Sequence, residues 1–429
     1  MAPRRGIMDG TDRLPMGPFL TRRAFVAASG LLSLGMLASC TPADVASSQA
    51  GVEEAADTGS RVVVMDPVAP VDPETPEDAT TTATLSMVGD VLVHEGVWAS
   101  GDHGDGTYSF DHLFAQVAPL VHAADVALVN QETILGGTSL GLSGYPLFNS
   151  PQEIGDAEAQ AGFSMVCSAT NHALDKGYEG IANTVGFWQG SHPDVTCLGI
   201  ALDEEHYDQV HVREVNGIRV AVLNYASSTN GIAFPEEDPY AVSMLSRSKV
   251  EKDVACAREA ADVVIVCPHW GTEYSQTSDE NQRYWADVLC SAGVDVVIGT
   301  HPHVLEPVEV VTGDDGHTMV VFWSIGNFMS WQRQAACMVG GMASVTFERD
   351  SSGTRLASCS LTPLVTHEAQ GTELTTYRLA DYTDELAGAN AITNADGCSD
   401  FSVRWCRDLC AGVLGDGWDE TSCTWTMPA

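Results

Sequence analysis

Three observations on the 429-residue sequence predict a layered α/β protein. Short apolar segments rich in β-branched residues alternate with segments in which apolar residues recur three and four positions apart. Several of these apolar segments are followed at once by Asp, Asn, Glu or His. After residue 340 the pattern changes to strands alone, as expected where a sheet is completed. Because ligands of layered α/β proteins bind outside the carboxyl ends of strands, the repeated polar endings predict one composite site.

The predicted elements follow one another along the chain. Strands are expected over residues 84–88, 126–129, 163–167, 218–223, 263–267, 294–298, 319–323, 343–347 and 356–361. Helices are expected over residues 181–189, 246–261 and 279–292. If the strands share a direction, the polar residues that follow them gather at one rim. These residues are Asp90, Glu132, Asn171, His172, His269, His301 and His303.

The segment 294–304, with the sequence VDVVIGTHPHV, contributes two of these residues. Its apolar half is typical of a buried strand. Pro302 disfavours a helical conformation of His301, so the chain is expected to stay extended through the His-Pro-His triplet. Side chains two positions apart in an extended chain point to the same side, and His301 and His303 are therefore expected to converge.

A mixture of imidazoles, carboxylates and an amide suits Mn²⁺, Fe²⁺ or Zn²⁺ better than Ca²⁺, which prefers oxygen ligands alone. The candidate ligands could hold one divalent ion or two, and a pair sharing a carboxylate would activate water for a phosphoryl-type displacement. Asn171 would then position an anionic oxygen while His172 protonates the leaving group. Asp175 either orients His172 or is a turn residue before Gly177.

The formal net charge is −38, from 58 acidic and 20 basic residues. Nucleic acid is therefore excluded as a predicted partner, because a phosphate backbone would meet no basic face. We interpret the acidity as a solvated surface rather than as an acidic binding face.

Residues 1–39 have the features of an export signal rather than of a folded segment. Arg22 and Arg23 precede an apolar run that is too short for a stable membrane span. TRRAFV resembles the twin-arginine export motif, and Leu37–Cys40 resembles a lipoprotein cleavage box that makes Cys40 the lipid-bearing residue. Residues 40–83 are expected to form a disordered tether. The protein is thus expected to be exported and lipid-anchored at the outer face of the cell membrane.

The cysteines fall into two groups. Four lie inside apolar runs and are expected to be small core residues: Cys167, Cys197, Cys267 and Cys290. Four lie near the C-terminus and could form disulfides outside the cell, with the pairing left open: Cys398, Cys406, Cys410 and Cys423. The spacing of the second group does not suit a structural zinc site.

Six ordered motifs, GDVLVH, NQET, ATNHALDKGYEGI, HWGTEY, GTHPHV and SIGNF, resemble those of the CapA family of capsule-synthesis, or poly-γ-glutamate biosynthesis, proteins. The resemblance covers about residues 84–330. That family resembles the calcineurin-like metallophosphoesterases, which implies a metallophosphoesterase-like four-layer α/β/β/α sandwich over residues 84–380. Residues 381–429 are expected to be a C-terminal extension whose role cannot be inferred.

The resemblance also implies roles for single residues. Asp90 corresponds to the first metal-binding aspartate of the phosphoesterases, and His269 to their lone histidine. The pairs Asn171-His172 and His301-His303 correspond to their metal-binding pairs. The residues expected to shape the pocket and contact substrate are Asn130, Trp270, Glu273, Tyr274 and Asn327, although Trp270 could equally be a core residue.

Two positions depart from the phosphoesterase pattern. Leu92 stands where those enzymes have a histidine, and His94 is the candidate replacement. Glu132 follows Asn130 and Gln131 at the position of a bridging aspartate, so its longer side chain has to reach further. Both departures weaken the expected site for a second ion.

Three functions are compatible with these features. The first is a surface lipoprotein enzyme that hydrolyses or transfers a phosphorylated or γ-glutamyl polymer. The second is a non-enzymatic, polymer-binding subunit that associates with membrane capsule-synthesis proteins. The third is a solute-binding lipoprotein, which would not depend on the histidines.

Overall fold

The computed structural model describes residues 61–64, 80–236, 238–369 and 374–428. The predicted export signal, the lipid-bearing Cys40 and most of the predicted tether lie outside these residues. Among the residues described, no helix combines the length and the apolar character needed to cross a bilayer.

The strands account for most of the secondary structure. In chain order they are β1 Arg61–Val64, β2 Thr81–Val91, β3 Val126–Gln131, β4 Met165–Cys167, β5 Thr196–Leu198, β6 Gln209–Val215, β7 Ile218–Ala226, β8 Val263–His269, β9 Val296–Ile298, β10 Val308–Thr312, β11 Thr318–Phe322, β12 Asn327–Met329, β13 Val339–Asp350, β14 Gly353–Glu368, β15 Leu374–Arg378, β16 Trp418–Asp419 and β17 Thr424–Thr426.

The helices lie mainly between the strands. They are α1 Glu95–Ser100, α2 Asp111–Phe114, α3 Ala118–Val121, α4 Glu153–Ala161, α5 Gly177–Ser191, α6 Glu204–Tyr207, α7 Arg247–Ala260, α8 Glu280–Ala292, α9 Asp384–Ala389 and α10 Val403–Leu414. Short 3₁₀ turns cover Thr138–Leu140, Ala335–Met338, Leu379–Asp381 and Ala391–Asn394. Helix α8 illustrates how the sequence defines these bounds: Asp279 and Gln282 form a reciprocal capping box, and Gly293 ends the helix in the left-handed conformation.

Two sheets organise the chain. A ten-stranded sheet has the order β16-β17-β14-β13-β2-β3-β4-β5, with β12 beside β2 and β15 beside β14. A seven-stranded sheet has the order β1-β6-β7-β8-β9-β11-β10. Strands β2 to β5 are parallel to one another, as are β7, β8, β9 and β11. The carboxyl ends of these two parallel sets carry most of the polar residues of interest.

The sheets pack face to face, with helices outside both. Leu128 from one sheet and Ile265 from the other belong to the same buried apolar core. On the outer face of the ten-stranded sheet, Val129 packs in a cluster with residues of α4 and α5. On the outer face of the seven-stranded sheet, Val266 packs in a cluster with residues of α7 and α8. This arrangement confirms the predicted four-layer α/β/β/α sandwich.

Two segments outside the predicted domain of residues 84–380 take part in the sheets. Arg61–Val64 lies in the predicted disordered tether, yet it forms an edge strand parallel to β6, so the expectation of disorder is wrong for these four residues. The C-terminal extension contributes β16 and β17 to the ten-stranded sheet and packs Cys406 and Trp425 into the core between the sheets. Among the described residues, the C-terminal extension belongs to the same compact unit as the strands of both sheets.

The cysteines are free thiols in the described part of the chain. The four C-terminal cysteines, Cys398, Cys406, Cys410 and Cys423, are all buried. Cys167, Cys267 and Cys290 are buried as expected, whereas Cys197 is partly exposed.

Candidate metal centre

Asp90 lies at the end of β2 and is fully buried. Its Oδ1 accepts a hydrogen bond from Asn130 Nδ2 at 2.8 Å, and its Oδ2 accepts one from the backbone N–H of His301 at 3.2 Å. Gly89 brings this strand end against Gly326, because a Cβ at position 89 would lie 1.8 Å from the carbonyl oxygen of Gly326. The local backbone therefore requires glycine immediately before the aspartate.

Glu132 follows β3 and is 1% exposed. Its backbone N–H donates to the carbonyl of Val91, and its own carbonyl accepts from Thr170 Oγ1, so the strand end is tied to both neighbouring strands. Neither carboxylate oxygen has a hydrogen-bond partner among the described residues. The side chain nevertheless lies 3.6 Å from His269 Nε2 and 3.7 Å from His303 Nδ1. The longer side chain of Glu132 thus brings its carboxylate beside these two imidazoles, as the sequence comparison with the bridging aspartate required.

Three imidazoles surround these carboxylates. His269 Nε2 lies 2.9 Å from Asn171 Oδ1 and 3.1 Å from His301 Nδ1. His303 Nδ1 lies 3.2 Å from Asp90 Oδ2. The structure therefore brings together side chains that are far apart in the sequence and come from both sheets.

The His-Pro-His triplet converges by a different backbone path from the one predicted. His301 has φ +97° and His303 has φ +63°, both in the region that L-residues seldom adopt. The expectation of an extended triplet is therefore wrong. Successive bends place the two imidazole rings 5.8 Å apart, and one of these bends brings the amide of His301 onto Asp90.

Burial sets the protonation of the imidazoles. Burial lowers the pKa of His269 to about 3 and that of His301 well below 6.5, so both rings are neutral at pH 7 and able to ligate a metal. Burial also opposes charge on His303, but the carboxylates of Glu132 and Asp90 outweigh it and raise the pKa of His303 to about 9, so an ion bound by this ring would displace its proton.

The pKa values of the carboxyl groups of Asp90 and Glu132 shift in opposite directions, although both groups are buried in the same centre. Burial raises the pKa of Glu132 to about 8, because no positive partner compensates fully for the lost hydration. Burial would also raise the pKa of Asp90, but its hydrogen bond with His303 and the charge of that residue lower it overall.

His172 and Asp175 form a second feature beside the centre. His172 Nδ1 lies 2.7 Å from Asp175 Oδ2, and the same oxygen accepts a hydrogen bond from the backbone N–H of Phe148. The ring of Phe148 packs edge-on against His172, with 4.6 Å between the centroids. The imidazole orientation is thus determined on two sides, and of the two readings of Asp175 the structure shows the orienting contact.

Three groups of side chains could each hold a metal ion, with ligand atoms within 4.8 Å of one another in each group. The groups are Asp90, Glu132 and His303; Glu132, His269 and His301; and Glu273, His301 and His303. The carboxylate oxygens and imidazole nitrogens of these groups fit a divalent ion because burial has removed the carboxylates from water. A buried carboxylate with unpartnered oxygens is costly alone, and an adjacent cation would compensate for its lost hydration.

Three residues predicted to contact substrate are buried and have other roles. Trp270 is 0% exposed and donates its indole N–H to the carbonyl of Trp323, which fits the core placement that the sequence left open for it. Asn130 supports Asp90, and Asn327 Oδ1 lies 3.1 Å from His303 Nδ1. Both amides are buried and contact residues of the candidate metal centre, and their contact with substrate stays a prediction.

His94 does not replace the imidazole that the phosphoesterase pattern has at the position of Leu92. Leu92 is buried in an apolar environment. His94 Nδ1 lies 3.2 Å from the carbonyl of Leu92 and 3.4 Å from the backbone nitrogen of Trp331. In the part of the chain that the structure describes, no candidate metal group includes His94.

Glu273 and Tyr274 are the exposed members of the predicted pocket. The ring of Tyr274 lies 6.0 Å from that of His303, and Tyr274 is 44% exposed. Sequence reasoning gave Glu273 a substrate-contacting role and missed its place in a candidate metal group. The sequence signal was available, because Glu273 follows His269 by four residues in the same strand-end loop.

Comparison with known proteins gives consistent results. The family model described as "Bacterial capsule synthesis protein PGA_cap" matches residues 84–332. The PGA biosynthesis protein CapA of Bacillus subtilis is 32% identical over 211 residues, covering 48% of this chain and 52% of the relative. The capsule biosynthesis protein CapA of Bacillus anthracis is 27% identical over 268 residues, covering 58% of this chain and 61% of the relative. The chain thus spans about half the length of the curated relatives it matches.

Solved structures show more distant similarity. The calcineurin-like phosphoesterase YfkN from Bacillus subtilis aligns with a TM-score of 0.39 at 14% identity, covering 74% of this chain and 96% of that chain. The 5'-nucleotidase from Candida albicans aligns with a TM-score of 0.35 at 16% identity, covering 62% and 48%.

Proposed function

Because this chain belongs to the bacterial capsule synthesis protein family PGA_cap, we propose that it acts in the synthesis or export of a capsule polymer through a divalent-metal centre. The centre would hydrolyse or transfer a phosphorylated or γ-glutamyl polymer. Mn²⁺, Fe²⁺ and Zn²⁺ are the proposed ions, because the donors combine imidazole nitrogens with carboxylate oxygens.

One observation carries this proposal. Both carboxylate oxygens of Glu132 are buried without a hydrogen-bond partner in the described chain, yet imidazole nitrogens of His269 and His303 lie within 4 Å. A purely structural carboxylate in this position would be expected to have hydrogen-bond donors. A cation shared by Asp90, Glu132 and His303 would compensate for the lost hydration of this buried glutamate.

The residues of the chain divide the work of the proposed reaction. Asp90, Glu132 and His303 would hold a divalent ion, which when bound supplies Lewis-acid polarisation and activates water. Asn171 positions an anionic oxygen of the substrate beside His269. His172 delivers a proton to the leaving group, and Asp175 keeps its ring in the required orientation and tautomer.

The negative charge of the protein restricts how an anionic substrate can approach the centre. The net charge of −38 repels a polyanion such as poly-γ-glutamate, so an anionic polymer needs a bridging cation to approach the centre. The names of the two CapA relatives refer to PGA or capsule biosynthesis, and they support a polymer of this kind as substrate or cargo. Association with membrane capsule-synthesis subunits is part of the same proposal.

A non-enzymatic, polymer-binding role is the second candidate. It is favoured by Leu92, whose buried apolar side chain stands where the phosphoesterase pattern has an imidazole. In this case the centre would hold an ion that bridges to a polymer end, without turnover, and the proton donor His172 would be dispensable.

The two candidates can be separated with the full chain, loaded in turn with Mn²⁺, Fe²⁺ and Zn²⁺. Hydrolysis of bis-p-nitrophenyl phosphate and γ-glutamyl-p-nitroanilide would be followed for the wild type and His172→Ala. His192→Ala is the matched control, because His192 also pairs with an aspartate but is partly exposed and belongs to none of the candidate metal groups of the described chain. Metal-dependent turnover that is lost only in His172→Ala supports the enzyme. Absence of turnover, together with ion-dependent binding of poly-γ-glutamate that tolerates His172→Ala, would favour the binding role.

We also propose that the protein is exported and anchored through a lipid on Cys40. The support is the resemblance of TRRAFV to a twin-arginine motif and of Leu37–Cys40 to a lipoprotein cleavage box. Metabolic labelling with a palmitate analogue tests the anchor. Label and membrane association that disappear in Cys40→Ala are expected, and equal labelling of both proteins would contradict the assignment.

A further inference from the structure

We propose that the protein has a second ligand site, separate from the metal centre, which binds a small uncharged ring compound carrying a hydroxyl group. The site is a cavity of about 280 Å³ beside β5, the strand at one edge of the ten-stranded sheet. None of the candidate metal ligands of the described chain lines this cavity. The inference therefore goes beyond the proposed function and does not depend on it.

The cavity lies between β5 and the strands β6 and β1 at the edge of the other sheet. Val63 of β1 and His211 of β6 are neighbours in the parallel register. Side chains alternate between the two faces of a strand, and Val210 and Val212 pack in the cluster on the outer, helix-covered face. Val63 and His211 are therefore on the inner face, directed into the space between the sheets. Trp188 of α5 lines the same space from the other side.

Two buried ring nitrogens of these lining residues have no hydrogen-bond partner among the described residues. They are Nδ1 of His211 and Nε1 of Trp188. Most buried polar atoms are paired with protein, ordered water or a ligand, so two unpaired ones at a single cavity indicate a partner that completes both. Burial, with the charge of Arg213 adding to it, lowers the pKa of His211 to about 4, and the ring is neutral at pH 7.

A hydroxyl group is the substituent that suits both nitrogens. The indole N–H of Trp188 can only donate, and a hydroxyl oxygen accepts from it. Nδ1 of the neutral His211 ring donates or accepts according to the tautomer, and a hydroxyl can serve as its partner in either case. A carbonyl group can only accept, so it would serve His211 in one tautomer alone.

The walls of the cavity determine the size and charge of the ligand. They are largely apolar and include Val63, Val185, Trp188, Ile200 and Leu202. A cavity of roughly 150 Å³ is enough for benzene, so this one has room for a substituted ring. No lysine or arginine lines it in the described chain, and an anion would be buried without a compensating charge. The lining carboxylate of Asp203 already accepts from the backbone and the ring of His206, so it is not a vacant counter-ion for a cation.

Fluorine NMR titrations of the full chain test the site. The probes 4-fluorophenol, fluorobenzene and 4-fluorobenzoate share one ring and differ in the hydroxyl group and in charge. His211→Phe keeps a ring but removes the nitrogens, and Val63→Trp would fill the cavity from the partly buried β1. His103→Phe is the control, because His103 is an exposed histidine that does not line the cavity. Thermal unfolding would verify that the variants fold.

The wild type and His103→Phe should bind 4-fluorophenol at least about tenfold more tightly than fluorobenzene, because fluorobenzene leaves the buried nitrogens unpaired. Binding of 4-fluorobenzoate should be absent. His211→Phe should lose most of the preference for the phenol, and Val63→Trp should abolish binding of both neutral probes.

The probes distinguish the outcomes in the wild type alone, so the test holds even if one variant fails to fold. Equal affinity for 4-fluorophenol and fluorobenzene, tighter binding of 4-fluorobenzoate, or no saturable binding of any probe would overturn the proposed site. The last of these results would mean that the cavity holds water only. Binding that Val63→Trp leaves unchanged, or an unchanged preference for the phenol in His211→Phe, would overturn it as well.

Discussion

His172 Nδ1 lies 2.7 Å from Asp175 Oδ2, and the aspartate side chain is fully buried. The two residues lie three positions apart in a turn that follows β4, so the contact is local in sequence. A buried carboxylate on one ring nitrogen leaves the other nitrogen of the imidazole for the reacting group.

Asp175→Asn should therefore reduce turnover without removing metal. The amide preserves shape but no longer selects the productive tautomer or stabilises the protonated ring, so we expect kcat to fall about 10- to 100-fold. Asp156→Asn is the control, because Asp156 contacts His192 at 2.6 Å on the surface. Steady-state kinetics with elemental analysis would check both variants. A loss of metal in Asp175→Asn, or an equal kinetic effect of Asp156→Asn, would contradict the orienting role.

Chelation should destabilise the wild type but not Asp90→Asn. An ion at a concentration 100 times its Kd stabilises the folded state by about 2.7 kcal/mol, and removal by EDTA forfeits this contribution. Differential scanning calorimetry of Mn²⁺-loaded and EDTA-treated samples would show the difference as a lowered unfolding temperature. An identical response of the wild type and the Asp90→Asn variant would mean that the stabilising ion binds elsewhere.

Gly89→Ala should destabilise the fold and displace the metal centre. An added Cβ would meet the backbone carbonyl of Gly326, which cannot move aside like a flexible side chain. Overpacking of this kind costs about 1–3 kcal/mol. Gly186→Ala, in the middle of α5 with open space around the new methyl, should instead stabilise by about 0.5–1 kcal/mol. Urea denaturation measures both, and a neutral Gly89→Ala would contradict the close approach.

Glu306→Gln should change how stability depends on pH. Burial raises the pKa of Glu306 to about 7, although the hydrogen bond from Gln282 opposes this shift. Folding therefore favours the protonated carboxyl, and this contribution is complete below about pH 4.5 and lost as the pH rises through about 7. Between pH 5 and pH 8, the unfolding free energy of the variant should rise relative to that of the wild type by up to about 3 kcal/mol. Urea denaturation with EDTA present would measure the unfolding free energy of both proteins across this pH range. A difference between variant and wild type that stays constant with pH would contradict the raised pKa of Glu306.

The parts of the fold predicted from sequence were those with a local signal. The apolar segment 263–267 and the polar residues after it identify β8 and place His269 at its carboxyl end. Repetition of this pattern was enough to predict that Asp90, His269 and His301 converge. The pairing of Arg61–Val64 with β6 was not predictable in this way, because the contact joins segments more than 140 residues apart and leaves no periodic trace.

The inner details of the centre depend on contacts that periodicity does not encode. The left-handed backbone at His301 and His303 is stabilised by tertiary contacts such as the one between His301 N–H and Asp90, which override the local preference for extended chain. Burial of Trp270 and Asn327 likewise follows from the packing of several loops. Sequence reasoning could place these residues near the centre but could not tell supporting residues from exposed ones.

Anomalous X-ray diffraction tests the central claim most directly. Crystals grown with Mn²⁺, Fe²⁺ or Zn²⁺ would be measured on both sides of each absorption edge. A peak about 2.0–2.3 Å from oxygens of Asp90 and Glu132 and a ring nitrogen of His303 is the predicted result. Electron density that shows no ion there, with the Glu132 oxygens hydrogen-bonded to water alone, would contradict the metal centre.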